Sequence, residues 1–166
     1  MIRQSRQGMT LVELVMVVAL LIILAGVSMP VFNTVITQRR LTGAVQRVAN
    51  DLRYVRSQAV TQGGIQRLHS GDEGGEQPGQ YRLEQSPTGS NPWTPFTPWY
   101  SIGTDFTGAT IASIKDATNN TLYGVSFDPQ GGSANTGASF PISISITTPA
   151  GTRTIQVMRT GNIVVP

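Results

Sequence analysis

The sequence predicts an α+β fold in which one long N-terminal helix packs on an antiparallel β-sheet. Three observations carry this. Leu14 to Phe32 contains no charged residue, and the next charge after Glu13 is Arg39. An apolar stripe at helical spacing follows it. Beyond Gly63-Gly64 that period is lost, and short runs of alternating residues appear between turn formers.

The apolar run is long enough to cross a hydrocarbon core of about 30 Å as a helix. Arg3 and Arg6 precede it, which places the N-terminus in the cytoplasm and the C-terminus outside. A cleavable secretory signal has a shorter apolar core and small residues at its cut, and Ala25-Gly26-Val27 is a poor match. Glu13 is the anomaly, because an acid at membrane depth costs about 2.5–3.5 kcal/mol and asks for a partner.

The amphipathic half follows. Leu41, Val45, Val48, Leu52, Val55 and Ala59 recur at alternating spacings of four and three, one stripe of a helix that Gly63-Gly64 stops. Arg39, Arg40, Arg47 and Arg53 lie largely off that stripe, as a solvated face or as contacts to acidic neighbours. Strand-like runs then occupy 65–70, 80–85, 99–102, 110–114, 122–127, 141–147, 153–159 and 163–165. Ile142, Ile144 and Ile146 alternate with serines and predict a sheet face turned to the stripe. Pro149-Ala150-Gly151 predicts a short hairpin turn.

Composition agrees with a turn-rich β region, since Gly 18 and Pro 10 together make up about a sixth of the 166 residues without any period. Cys 0 excludes disulfides and thiolate metal sites. The net charge of +3 is concentrated early. From Ser70 onward only Arg82, Lys115, Arg153 and Arg159 face seven acids, which argues against bulk nucleic-acid binding.

Gly8-Met9-Thr10-Leu11-Val12-Glu13, with its basic leader and apolar run, resembles the leader and helix start of type IV prepilins. The resemblance implies that a prepilin peptidase cuts between Gly8 and Met9 and methylates Met9. It makes Glu13 the fifth mature residue and Pro30 the helix-kinking proline; Met9 departs from the usual Phe. It implies four segments: leader 1–8, membrane and assembly half 9–32, amphipathic half 33–62, and β domain 63–166. The new amine of one subunit would pair with Glu13 of its neighbour, making both charges tolerable in a low dielectric. Leader removal leaves 12 − 2 = 10 basic against 9 acidic side chains, which eases extraction from the membrane.

Two further stretches, Leu52 to Val60 and Val125-Ser126-Phe127-Asp128-Pro129-Gln130-Gly131 with a glycine near the C-terminus, are similar to the GspH/FimT family. That likeness implies a non-enzymatic minor pilin or pseudopilin at or near the tip of a type IV pilus or type II secretion pseudopilus. It implies residence in the bacterial inner membrane with the β domain outside, and other pilins or pseudopilins, minor and major, as partners. The alternative is a DNA-binding minor pilin for natural transformation. Relatives of that kind carry Gly-Arg-x-Arg near the C-terminus, whereas this chain reads Gly161-Asn162-Ile163-Val164, leaving Arg153 and Arg159 as possible phosphate contacts.

Other chemistry is sparse, and no cofactor or metal is expected. His69, the only histidine, reads as a solvated turn residue beside Ser70. Asp72, Glu73 and Glu76, and likewise Asp116, Asn119, Asn120 and Asp128, lack calcium-loop spacing. The segment Pro92–Tyr100 reads as a proline-stiffened loop whose rings cap the sheet, or as a docking surface rich in hot-spot residue types.

Overall fold

A computed structural model of the chain describes residues 9–75, 77 and 79–166; the side chains of residues 25–31 lie outside the description. The chain divides into two compact units, one ending at Ile36 and the other running Thr37–Pro166. Helix α1 spans Leu11–Gln62. At its start the Glu13 N–H donates to Thr10 Oγ1 at 3.3 Å and the Leu14 N–H to the Thr10 carbonyl at 3.1 Å. Thr10 is therefore the N-cap, satisfying donors that the first turn would otherwise leave unpaired.

In the second unit, all six residues of the stripe from Leu41 to Ala59 are buried, with Ala44 and Ala49 beside them. Gly63, at φ +71°, closes the helix with its N–H on the Ala59 carbonyl. Then follow β1 (Ile65–Ser70), β2 (Gln80–Ser86), β3 (Thr94–Pro95), β4 (Tyr100–Ser101), the one-turn α2 (Ile102–Asp105), β5 (Thr110–Lys115) and β6 (Thr121–Leu122). The chain finishes with β7 (Gly124–Phe127), β8 (Ile142–Thr148), β9 (Gly151–Val157) and β10 (Ile163–Val164).

These strands make two five-stranded antiparallel sheets rather than the single sheet expected. The first has the order β3-β2-β1-β7, with β4 also on β2; the second runs β10-β9-β8-β5-β6. The strand expected over 122–127 is cut at Tyr123, where the chain leaves the second sheet and enters the first. Pattern cannot show such a switch, because both halves alternate normally. β8 behaves as its sequence predicts: Ile142, Ile144 and Ile146 are wholly buried, with Ser143 and Ser145 between them. Pairing of Thr148 with Gly151 leaves Pro149-Ala150 as a two-residue hairpin loop.

The two stretches and the C-terminal glycine that suggested GspH/FimT meet in space. Arg56, on α1, donates Nε to the Gly131 carbonyl at 2.8 Å and Nη2 to the Thr160 carbonyl at 3.4 Å. Gly161 packs against the same Gly131 carbonyl at φ +74°, so a Cβ there would collide with backbone. Gly161→Ala is expected to destabilise the protein by about 2–4 kcal/mol, since left-handed strain and a backbone collision add. The control is Gly137→Ala, at φ +80° with nothing near its Cβ position, which should cost only about 1–2 kcal/mol. Denaturant midpoints of the two variants make the comparison.

Candidate assembly surface

Within the first unit, Met9, Leu11, Val12, Leu14, Val15, Leu20 and Leu24 are all exposed. Glu13 is exposed too, as an acid in the first turn of α1. The helix dipole favours a carboxylate there. Thr10-x-x-Glu13 also has capping-box spacing, a signal that points to a helix start as well as to a leader. Gly8 and the rest of segment 1–8 lie outside the described residues. Pro30 lies within α1, with its side chain outside the description. Among the described residues no helix is long and apolar enough to cross a membrane; the run expected from Leu14 to Phe32 passes through the undescribed side chains of 25–31.

In the second unit, the face of α1 opposite the stripe carries exposed Arg39, Arg40, Arg47 and Arg53. Arg47 Nε pairs with Asp51 at 3.2 Å, and that carboxylate raises the Arg47 pKa. Asp51 also accepts the Tyr81 hydroxyl proton. Burial, then that bond to Asp51, holds the phenol far above its ordinary pKa. Tyr100 bonds Asp105, and burial together with that bond pushes its pKa up to about 12. Both phenols are therefore neutral donors at any physiological pH.

Arg153 and Arg159 are both exposed, on and just after β9. The Arg159 guanidinium lies 5.3 Å from the centre of the Phe140 ring. Of the other distal cations, Arg82 is bound to Glu84 and Lys115 to Asn119. So few uncommitted charges neutralise few phosphates. Duplex DNA should bind no tighter than tens of micromolar at about 150 mM salt. A salt titration checks this, and submicromolar affinity lost on changing Arg153 and Arg159 to Gln would support DNA uptake instead.

His69 is not solvated: it lies in β1 and is 3% exposed, because the Trp99 ring covers it at 5.7 Å between centroids. Its cross-strand partner is Arg82, and that of Arg67 is Glu84. Glu84 is wholly buried, its Oε2 taking Arg67 Nε at 2.6 Å and its Oε1 taking Arg82 Nε at 2.6 Å. Trp93 stacks on Arg67 at 4.0 Å and Trp99 on Arg82 at 4.3 Å. The segment Pro92–Tyr100 thus covers the outer face of the first sheet.

Asp72 takes the Ser70 hydroxyl and the Gly79 N–H; Glu76 lies outside the described residues. Burial acts to raise the Asp116 pKa, but hydrogen bonds from Asn120, Thr118 and Ser139 outweigh it and hold the carboxyl well below its ordinary range. Among the described residues no cluster of three or more His, Asp or Glu is placed to hold a metal.

A helix with an apolar stripe packed on antiparallel sheets, joined to a helical segment apolar on all sides, is the architecture of a pilin-like subunit. Residues 44–161 match the family described as type II transport protein GspH, and the chain belongs to that family. The type IV minor pilin FimU of Pseudomonas aeruginosa is similar in structure, with a TM-score of 0.56 and 17% identity, over 78% of this chain and 90% of that one. The minor pseudopilin EpsH of the Vibrio cholerae type 2 secretion system gives a TM-score of 0.54 and 10% identity, over 76% of this chain and 96% of that one. At such identities these likenesses establish the fold. A comparison with curated protein sequences gives no match. The family comprises structural pilin and pseudopilin subunits of type IV pili and type II secretion, which assemble with one another, and is not a known enzyme family.

Proposed function

We propose that the chain is a minor pilin or pseudopilin that helps initiate or cap a type II secretion pseudopilus or a type IV pilus. The observation that carries this is the pairing of a GspH-family body with a first unit whose apolar side chains are exposed on every side of the helix. Exposure of that kind is stable only in lipid or against other apolar helices. In this reading a prepilin peptidase cuts between Gly8 and Met9, and Met9 is methylated. Segment 9–32 lies in the inner membrane before assembly, 33–62 is the amphipathic half, and 63–166 is the extracytoplasmic β domain.

Glu13 then sets the register. Its carboxylate pairs with the N-terminal amine of an adjacent pilin subunit, and a helix that slides leaves two charges unpaired in apolar surroundings. Deleting the gene tests the function. Secretion or piliation should fall and return with a plasmid copy; unchanged secretion and filament number would refute the role.

A further inference from the structure

The outer face of the first sheet carries a buried ionisable group, His69, outside the proposed assembly helix. Residues 91–101 lie along β2, with β3 pairing at Glu84 and Gln85 and β4 at Gln80 and Tyr81. From this edge Trp93 and Trp99 stack on Arg67 and Arg82, and Trp99 roofs His69. The His69 Nδ1 is buried without a hydrogen-bond partner, and its nearest acid is the exposed Glu73, 3.5 Å away. We propose that His69 is a proton-operated pin: while it is neutral, residues 91–101 stay closed as a strap over the first sheet, and its protonation releases them.

The charges around it decide the direction. Arg67 faces His69 from its own strand, Arg82 and Glu84 from β2, and Glu73 from the turn after β1. Glu84 is already shared by two guanidinium groups, so it offers an imidazolium little. Glu73 is half in solvent, where its attraction is screened. Burial, then Arg67, lowers the His69 pKa, and Glu84 and Glu73 oppose that shift without reversing it. An open strap returns the imidazole to water and an ordinary pKa of about 6.5. The open form therefore binds more protons. The closed form has its full stability above about pH 6.5 and loses it as the pH falls further. Release strips β2 of β3 and β4 and bares the unpaired backbone of an edge strand, a template for another strand.

The composition makes the test selective. Trp93 and Trp99 are the only tryptophans and His69 the only histidine, so both signals report on this site without assignment. Full-length protein in detergent micelles is taken from pH 7.5 to 5. Tryptophan emission should shift to the red and become more accessible to acrylamide, with the same midpoint as the His69 imidazole NMR signal. His69→Gln should flatten the fluorescence change. Glu73→Gln removes the one solvent-side counter-charge and should move the midpoint to higher pH. An unchanged transition in His69→Gln, or no fluorescence change down to pH 5 in the parent, overturns the proposal. Should His69→Gln fail to fold, the parent alone decides: coincident midpoints support the pin, and His69 titrating without any change in tryptophan emission refutes it.

Discussion

Replacing Glu13 with leucine is expected to leave the protein in the inner membrane and to remove it almost entirely from filaments. The substitution deletes a charge that costs about 2.5–3.5 kcal/mol at membrane depth, so insertion is undisturbed or improved. It also leaves the N-terminal amine of the neighbouring subunit without a partner, and breaking one side of a buried pair costs about 3–5 kcal/mol. That is a factor of a hundred or more in assembly. The helix start explains little of this, because the cap bond runs from the Glu13 backbone N–H to Thr10 and survives the change, while the lost helix-dipole interaction is about 0.3–1 kcal/mol. Immunoblots of membrane and sheared-filament fractions make the measurement. Parent-level amounts in filaments would remove the pairing mechanism.

The second large effect concerns the leader. Gly8→Ala should abolish processing, because a peptidase must bring its own backbone close to a residue that carries no Cβ. The product would keep Arg3 and Arg6 on the cytoplasmic side and would lack the free amine at Met9 that pairs with the acid of an adjacent subunit. It should accumulate as the longer form and fail to assemble. Mature protein at normal level would sink the cleavage assignment.

How much of this was legible in the sequence depends on the range of each contact. The stripe from Leu41 to Ala59 and the alternation of Ile142, Ile144 and Ile146 are local signals, and the same residues form the core. The GspH/FimT stretches are weak one at a time because their meaning is distant. Arg56 reaches Gly131 across 75 positions and Thr160 across 104. Only when these stretches meet does Gly161 acquire a reason to be glycine.

His69 shows the opposite case. Beside Ser70 and a glycine-rich loop it reads as solvated, and nothing nearby in sequence says otherwise. Its cover comes from Trp99, thirty positions on, at the edge of the run expected over 99–102, which holds β4, in a segment whose prolines hide β3 from any pattern. Of the predicted site residues, Glu13 lies in the first turn of α1 with Met9 just before the helix; within the second unit Arg153 lies on β9 and Arg159 follows it.

The central claim is that this chain is a filament subunit, and its presence in the filament tests that most directly. Filaments sheared from cells, or pseudopili overassembled on the cell surface, can be purified and their subunits counted by quantitative mass spectrometry. The account predicts peptides of this chain at a small fraction of the major subunit, with an N-terminus at methylated Met9. A chain found only in the membrane, absent from filaments and still carrying residues 1–8, would contradict it.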